Sequence, residues 1–141
     1  MIDEQKRLVQ ESFKQVEPIS DAAASLFYAR LFELDPSLQP LFKTDMQVQR
    51  RALMSMLRTA VIGLDHLDAL VPAVESLARR HVGYGVKDAD YDTVGQALLD
   101  ALQQGLGDGF TSEIRGAWVE VYALLSGVMR GAAKQAANPI A

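Results

Sequence analysis

Apolar residues recur at intervals of three and four along almost the whole chain, and this spacing constrains the fold more than any other feature of the sequence. It is the period of an amphipathic helix, whereas no stretch alternates apolar and polar residues for long enough to predict a strand. Pro18 is expected to end one helix, and Ser20, Asp45 and Thr111 are expected to cap others. The sequence therefore predicts an all-α domain of about seven helices with short connections.

The composition excludes several classes of protein. The 141 residues suffice for a single domain, which we expect at residues 1–134, followed by a frayed tail at residues 135–141. The net charge of −4, without a lysine or arginine cluster, argues against nucleic acid as a partner. No apolar run approaches the ~20 residues of a membrane span, and the charged start is unlike a signal peptide. There is no cysteine for a disulfide or a thiolate ligand. We expect a cytoplasmic protein.

The predicted helix at residues 70–85 places a histidine on its apolar face. Leu70, Val74 and Leu77 share that face, and His81, four residues after Leu77, is the next residue on it. An inward imidazole needs a partner, because a buried polar group without one costs roughly 1–3 kcal/mol. Two interpretations are open at this point: a core histidine bonded to a carbonyl, or a metal ligand.

The last predicted helix carries an apolar stripe that includes Trp118 and Tyr122. Gly116, Gly127 and Gly131 also lie on this helix. Because glycine has no side chain, we expect neighbouring helices to approach closely at these three positions.

Six segments, taken in order, resemble the globin family, and more narrowly the bacterial single-domain haemoglobins and the haem domain of flavohaemoglobins. The segments are LFYARLFELDP, the PLF that ends at Phe42, the Gln49 and Leu53 pair, LVPAVESLARRHVGYGV, YDTVGQALL and AWVEVY. Each segment is weak evidence alone, but together they cover nearly the whole chain. The resemblance implies a globin fold around a pocket for haem b.

The resemblance also implies roles for individual residues. His81 matches the proximal ligand of haem iron. Tyr28 and Gln49 match the two distal polar residues, whose O–H and N–H groups would stabilise negative charge on a bound gas. Phe42 matches an aromatic residue that packs on the haem plane, and Leu53 would set the room that the gas has.

On the proximal side, Tyr91 matches a tyrosine that hydrogen-bonds near the outer nitrogen of the ligand histidine, a contact that would fix the orientation of the imidazole. Arg80 matches a basic residue near a haem propionate. The other residues expected to contact the cofactor are Leu57, Leu77, Tyr84, Val86, Val94 and Trp118. No residue is assigned a catalytic role beyond the distal pair.

Each of these residues also has an ordinary interpretation in any helical protein. Tyr28 would be a tyrosine at the rim of the core, and Gln49 a solvated residue in the first turn of a helix. Phe42 and Trp118 would pack in any helical core, and Arg80 would lie on a solvated face. The order of the segments, rather than any single residue, favours the haem interpretation.

Two departures from the family bear on function. No Gly-rich dinucleotide loop accompanies the globin segments, so we expect any flavin- and nicotinamide-binding reductase to be a separate protein. No acidic residue follows Glu120, and Ala133 stands about where flavohaemoglobins place a glutamate beside the proximal tyrosine and histidine. The missing carboxylate weakens an inference of peroxidase-like chemistry, since an anionic partner makes the imidazole more electron-donating.

The resemblance implies two functions that use the same residues. The primary hypothesis is reversible binding of O2, and of NO and CO, at haem iron in a bacterial protein for oxygen storage or delivery. The alternative is a nitric oxide dioxygenase that depends on a separate reductase and converts O2 and NO to nitrate. The expected partners are these gases and, for the enzyme, the reductase, with a monomer and a homodimer both open.

Overall fold

The computed structural model describes residues 3–42, 45–83 and 86–137, and these ranges contain α-helices, 3-10 helices and no strand. The α-helices are α1 (Asp3–Val16), α2 (Ser20–Leu34), α3 (Met46–Gly63), α4 (Leu67–Gly83), α5 (Asp88–Leu106) and α6 (Ser112–Ala137). The 3-10 helices span Glu17–Ile19, Pro36–Leu41 and Gly107–Gly109. The prediction of an all-α fold is confirmed, with a helix count close to the expected one.

Two of the predicted caps are present and one is not. The Asp45 carboxylate accepts a hydrogen bond from the backbone N–H of Gln47 at 2.7 Å. The Thr111 hydroxyl accepts one from the backbone N–H of Ile114 at 3.2 Å. Ser20 was predicted as a cap, but it is the first residue of α2, and Ile19 precedes it without a side-chain cap. The cause is the 3-10 turn at Glu17–Ile19, which leads directly into α2.

Helix α6 organises the packing of the domain. It contacts α4 most extensively, and it also packs against α1 and α5, while α2 lies against α5 and α3. The shared core is built from large apolar side chains of four helices: Val9, Phe13, Phe27, Leu31, Leu98, Leu102, Trp118 and Val121. Burial of such side chains is the main favourable term in folding.

A polar contact crosses this core between α1 and α6. Trp118 Nε1 donates to Ser12 Oγ at 2.9 Å, and the Ser12 hydroxyl donates to the Leu8 carbonyl at 2.7 Å. Both side chains are only 2% exposed, so each buried polar atom in this chain of contacts has a partner.

The prediction of close helix approach at three glycines of α6 is wrong. Gly116, Gly127 and Gly131 are exposed, and a Cβ built at any of them would meet no described atom within 4 Å. The close approach occurs instead at Gly95 of α5, where a Cβ would lie 2.6 Å from Cε2 of Tyr122. The three glycines lie on the outward side of α6, whose packing side carries the large residues.

The outer faces of the helices carry ion pairs. On α1, Arg7 contacts Glu11 at 3.0 Å, and both side chains are about half exposed, with side-chain exposures of 52% and 56%. Exposed pairs of this kind contribute little to stability.

None of the helices in the described ranges is both long enough and apolar enough to cross a membrane.

Candidate functional site

His81 lies half-buried in the last turn of α4. Its Nδ1 is 2.8 Å from the carbonyl oxygen of Leu77. Because a carbonyl can only accept, this contact places the proton on Nδ1 and the lone pair on Nε2. Burial lowers the pKa of His81; the bond to Leu77 opposes that shift, and the positive charge of Arg80 adds to it. The imidazole is therefore neutral at pH 7, which is the form that ligates metals.

The bond to Leu77 is compatible with both interpretations of His81 that the sequence left open. A structural core histidine would satisfy its N–H in this way. A ligating histidine also donates its outer N–H to a carbonyl or a carboxylate, which fixes the ring and raises the basicity of the ligating nitrogen. The acceptor here is a neutral carbonyl.

Tyr28, on α2, faces the start of α3. Its side chain is 7% exposed, and its hydroxyl donates to the main-chain carbonyl of Gln49 at 3.3 Å. Burial raises the pKa of Tyr28 to about 12. The phenol is thus protonated at neutral pH and can act as a hydrogen-bond donor. The structure brings Tyr28 to the backbone of Gln49, whose side chain is half-buried.

Aromatic rings surround Tyr28. Its ring meets Phe27 edge-on at 5.0 Å and Phe42 edge-on at 5.3 Å, measured between ring centroids. Phe42 in turn contacts Phe32 at 5.5 Å. Edge-to-face pairs at these distances are favourable beyond the area that they bury. The sequence-predicted residues Tyr28, Gln49 and Phe42 therefore lie together.

A second predicted group lies deeper in the core. Leu53, Leu57 and Trp118 line the same void of about 10 Å³, which has room for at most about one water molecule. Trp118 also packs against Phe13 of α1, with ring centroids 6.4 Å apart. Val94 is half-buried and packs against the same core cluster.

Three further predicted residues lie around the end of α4. Leu77 provides the carbonyl that holds His81, and the Val86 N–H donates to the carbonyl of His81 itself at 3.2 Å. Arg80 is exposed. Tyr84, which was predicted to contact the cofactor, lies outside the described residues.

Tyr91 is 6% exposed in the first turn of α5. Its carbonyl accepts a hydrogen bond from the hydroxyl of Tyr122, and the Arg130 guanidinium lies 5.5 Å from the centroid of its ring. Burial raises the pKa of Tyr91, and the charge of Arg130 opposes that shift. The expected hydrogen bond between Tyr91 and the outer nitrogen of His81 stays a prediction.

The sequence reasoning missed Arg130, which joins α6 to α5. Its Nη2 lies 2.6 Å from Asp92 Oδ1, and its Nε lies 3.7 Å from Asp88 Oδ1. The sequence does carry a signal for this contact. Asp88 and Asp92 are four apart on one face of α5, and Arg130 lies eight residues after Tyr122 on one face of α6.

Known sequences similar to this chain are globins and flavohemoproteins. The Globin family model matches residues 25–129. The flavohemoprotein of Halalkalibacterium halodurans is 31% identical over 128 residues, which are 89% of this chain and 31% of that protein. The flavohemoprotein of Rhodopirellula baltica is 33% identical over 128 residues, again 89% and 31% of the two chains. The chain thus spans less than a third of the length of these curated relatives.

Solved structures show the same fold. An engineered carbene transferase, a proposed nitric oxide dioxygenase from Rhodothermus marinus, superposes with a TM-score of 0.89 at 26% identity and covers 99% of this chain and 98% of that one. A bacterial globin from Campylobacter jejuni superposes with a TM-score of 0.86 at 23% identity, over 97% of this chain and 99% of that one. With the family model matched over most of its length, the chain belongs to the globin family.

Proposed function

We propose that this globin binds haem b through His81 and reversibly binds O2, and also NO and CO, for oxygen storage or delivery. One observation carries the proposal: the globin family model matches residues 25–129, which include His81. The contact between His81 Nδ1 and the Leu77 carbonyl agrees with it, because it places the lone pair on Nε2 of a neutral, half-buried imidazole. Haem iron, when bound there, supplies the binding position for a diatomic gas. We propose residues 1–134 as the domain that does this.

The residues present fit the chemistry of haem, which is a flat apolar ring with two acidic propionates. Phe42 and Leu53, both half-buried beside Tyr28 and the core, offer apolar surface on the distal side. Val86, whose N–H bonds to the His81 carbonyl, offers it on the side of His81, and Val94 is half-buried against the core. Pockets for such ligands are mostly apolar, with a few placed polar groups. The exposed guanidinium of Arg80 suits a propionate at the rim.

Tyr28 is proposed as the main distal donor. Its neutral phenol lies among aromatic rings, and a donor in such a low-dielectric setting interacts more strongly with developing negative charge than it would in water. Its bond to the Gln49 carbonyl is 3.3 Å long, at the weak end of the range for O–H donors. The hydroxyl can therefore exchange that acceptor for a bound gas at small cost. The side-chain amide of Gln49 is proposed as a second donor.

The names of the relatives support a second candidate function. Flavohemoproteins and a proposed nitric oxide dioxygenase are among the proteins most similar to this chain. As a nitric oxide dioxygenase, the protein would need a reductase as its source of electrons. The roles of His81 and Tyr28 would be the same.

The test is the visible absorption spectrum of the purified protein, reduced under argon and then mixed with air. We expect a Soret band that shifts in air, shifts back under argon, and is lost or altered in His81→Ala. The matched control is His66→Ala, because His66 is the only other histidine and is exposed. A colourless protein that also refuses added haemin would contradict the proposal.

The two candidate functions separate in a second measurement. Steady consumption of NO in the presence of an added electron donor supports the dioxygenase. A single turnover that stops with ferric iron supports the carrier.

A further inference from the structure

One arginine of α6 contacts the first two turns of α5 in three ways. Arg130 Nη2 lies 2.6 Å from Asp92 Oδ1, its Nε lies 3.7 Å from Asp88 Oδ1, and its guanidinium lies 5.5 Å from the centroid of the Tyr91 ring. The aspartates are one helical turn apart and the tyrosine lies between them, so one planar cation restrains the whole first part of α5.

Arg130 is more buried than the two aspartates that it contacts. The two aspartate side chains are 66% and 79% exposed, whereas that of Arg130 is 29% exposed. Its Nε is buried and makes no hydrogen bond to any described residue. The guanidinium thus donates to Asp92 through Nη2 and also lies over the Tyr91 ring, as in a cation–π contact.

A second side chain of α6 fixes the same part of α5. The Tyr122 hydroxyl donates to the Tyr91 carbonyl, and the Tyr122 ring occupies the space that a side chain at Gly95 would need. Tyr122 and Arg130 are eight residues apart, so they project from one face of α6. The start of α5 is therefore held on α6 at two points.

The start of α5 is also connected to the end of α4. The carboxylate of Asp90, 7% exposed, accepts from the Lys87 N–H at 2.8 Å and closes the turn that begins α5. The preceding residue, Val86, donates its N–H to the carbonyl of His81 at 3.2 Å. The Lys87–Asp90 and Val86–His81 hydrogen bonds thus connect the start of α5 to His81.

We propose that Arg130 is a positioning residue for His81: by holding the start of α5 on α6, it fixes the end of α4 from which His81 would ligate haem iron. The inference rests on the proposed function, because its consequence is measured at the iron. In this proposal Arg130 acts on His81 through residues 86–92.

The first experiment needs no haem. Amide hydrogen exchange is measured for residues 92–96 in the purified protein, because these N–H groups make the first helical hydrogen bonds of α5. We expect exchange to become about tenfold faster in Arg130→Gln, since a local restraint on opening is lost. The matched control is Arg30→Gln, which breaks the 2.7 Å ion pair between Arg30 and Asp100 farther along α5. Unchanged exchange in Arg130→Gln would overturn the proposal.

The second experiment measures the iron–histidine stretching band of the reduced, haem-loaded protein by resonance Raman spectroscopy. We expect Arg130→Gln and Asp92→Asn to shift the band in the same direction or to broaden it. Arg30→Gln should leave the band unchanged. Asp92 is an exposed residue, so the second variant keeps the test valid if Arg130→Gln folds poorly. A lower melting temperature in both variants with an unchanged band would show a merely structural role and overturn the proposal.

The outcomes distinguish this inference from the proposed function. A haem spectrum that does not depend on His81 would contradict the proposed function and, with it, a positioning role toward the iron. A spectrum that depends on His81, with a band insensitive to Arg130 and Asp92, would contradict this inference alone.

Discussion

The two sides of the candidate site are held in different ways. Around Tyr28, on α2 and α3, the contacts are aromatic edges and one 3.3 Å bond to a main-chain carbonyl. Around His81, on α4, α5 and α6, the contacts are directional: the 2.8 Å bond to Leu77, the Val86 bond, and the Arg130 ion pairs. Ring contacts tolerate small displacements, whereas hydrogen bonds weaken steeply with angle and distance.

This difference matches what each side has to do in the proposed function. A ligating imidazole works best when its orientation is fixed, because orientation sets the strength of the metal bond. A distal donor must leave one acceptor and move to another each time that a gas enters or leaves. The side of Tyr28, which must move, therefore has the looser ring contacts. The side of His81, which must stay fixed, has the directional contacts.

The largest expected effect is alkaline destabilisation on the distal side. Burial raises the pKa of Tyr28 from 10.0 to about 12, so the folded state holds this proton more tightly than the unfolded state does. Its contribution is present below pH 10 and is lost as the pH rises through 12, a change of about 2–3 kcal/mol. Urea unfolding followed by circular dichroism between pH 8 and 12 measures it.

The control for this titration is Tyr28→Phe, which should lose less stability than the wild type over that pH range. Tyr28→Phe should still lose some stability at alkaline pH. This remaining loss is expected to come from Tyr122 on α6, because burial also raises the pKa of Tyr122. A Tyr28→Phe curve parallel to the wild type would contradict the assignment.

A second variant tests the close contact on the α5–α6 side. Gly95→Ala puts a Cβ at 2.6 Å from the Tyr122 ring, and overpacking of this kind costs about 1–3 kcal/mol. Gly116→Ala is the matched control, because its Cβ meets no described atom within 4 Å and a helical alanine is favoured over glycine. Chemical denaturation should therefore show opposite signs for the two variants, and equal effects would rule out the packing explanation.

The same Tyr28→Phe variant also separates the donor role of Tyr28 from its packing role. Tyr28→Phe should speed O2 dissociation about tenfold, the kinetic equivalent of a hydrogen bond of about 1.4 kcal/mol. CO release should change much less, since CO carries little charge to stabilise. Laser photolysis and stopped-flow mixing measure both rates. Equal changes for the two gases would indicate a steric role.

The smallest expected effect is acidic and belongs to His81. Burial lowers its pKa below 6.5, so the folded haem-free protein resists protonation of this ring. The corresponding stability is present above pH 6.5 and is lost as the pH falls through the folded-state pKa. The free energy of unfolding of the haem-free protein should fall between pH 8 and 5. This fall should be smaller in His81→Gln than in the wild type, and the same in His66→Ala as in the wild type.

Features local in sequence were predictable. The Asp45 and Thr111 caps follow from residue type and position, and the inward placement of His81 follows from its spacing from Leu77. The all-α class follows from the same period. The site residues other than His81 depended on an ordered resemblance, because Tyr28 and Gln49 have no local pattern that sets them apart.

Features that depend on how two helices rotate against each other were not predictable. The sequence places glycines on both α5 and α6, but only the packed structure shows that Gly95 meets a ring and Gly116 meets nothing. The Arg130 contacts have the same origin, since a surface arginine can pair with any carboxylate that packing brings near. Ser20 failed as a cap because a 3-10 turn displaced the helix start by one residue.

The buried contact between Trp118 and Ser12 gives the protein an optical reporter of its own. Trp118 is the only tryptophan, and it lines the same void as Leu53 and Leu57, two residues of the proposed haem pocket. An indole in such an apolar setting emits at short wavelength, and a haem nearby accepts its excitation energy. Haem entry should therefore dim this fluorescence without changing its colour, whereas unfolding should shift the emission to the red.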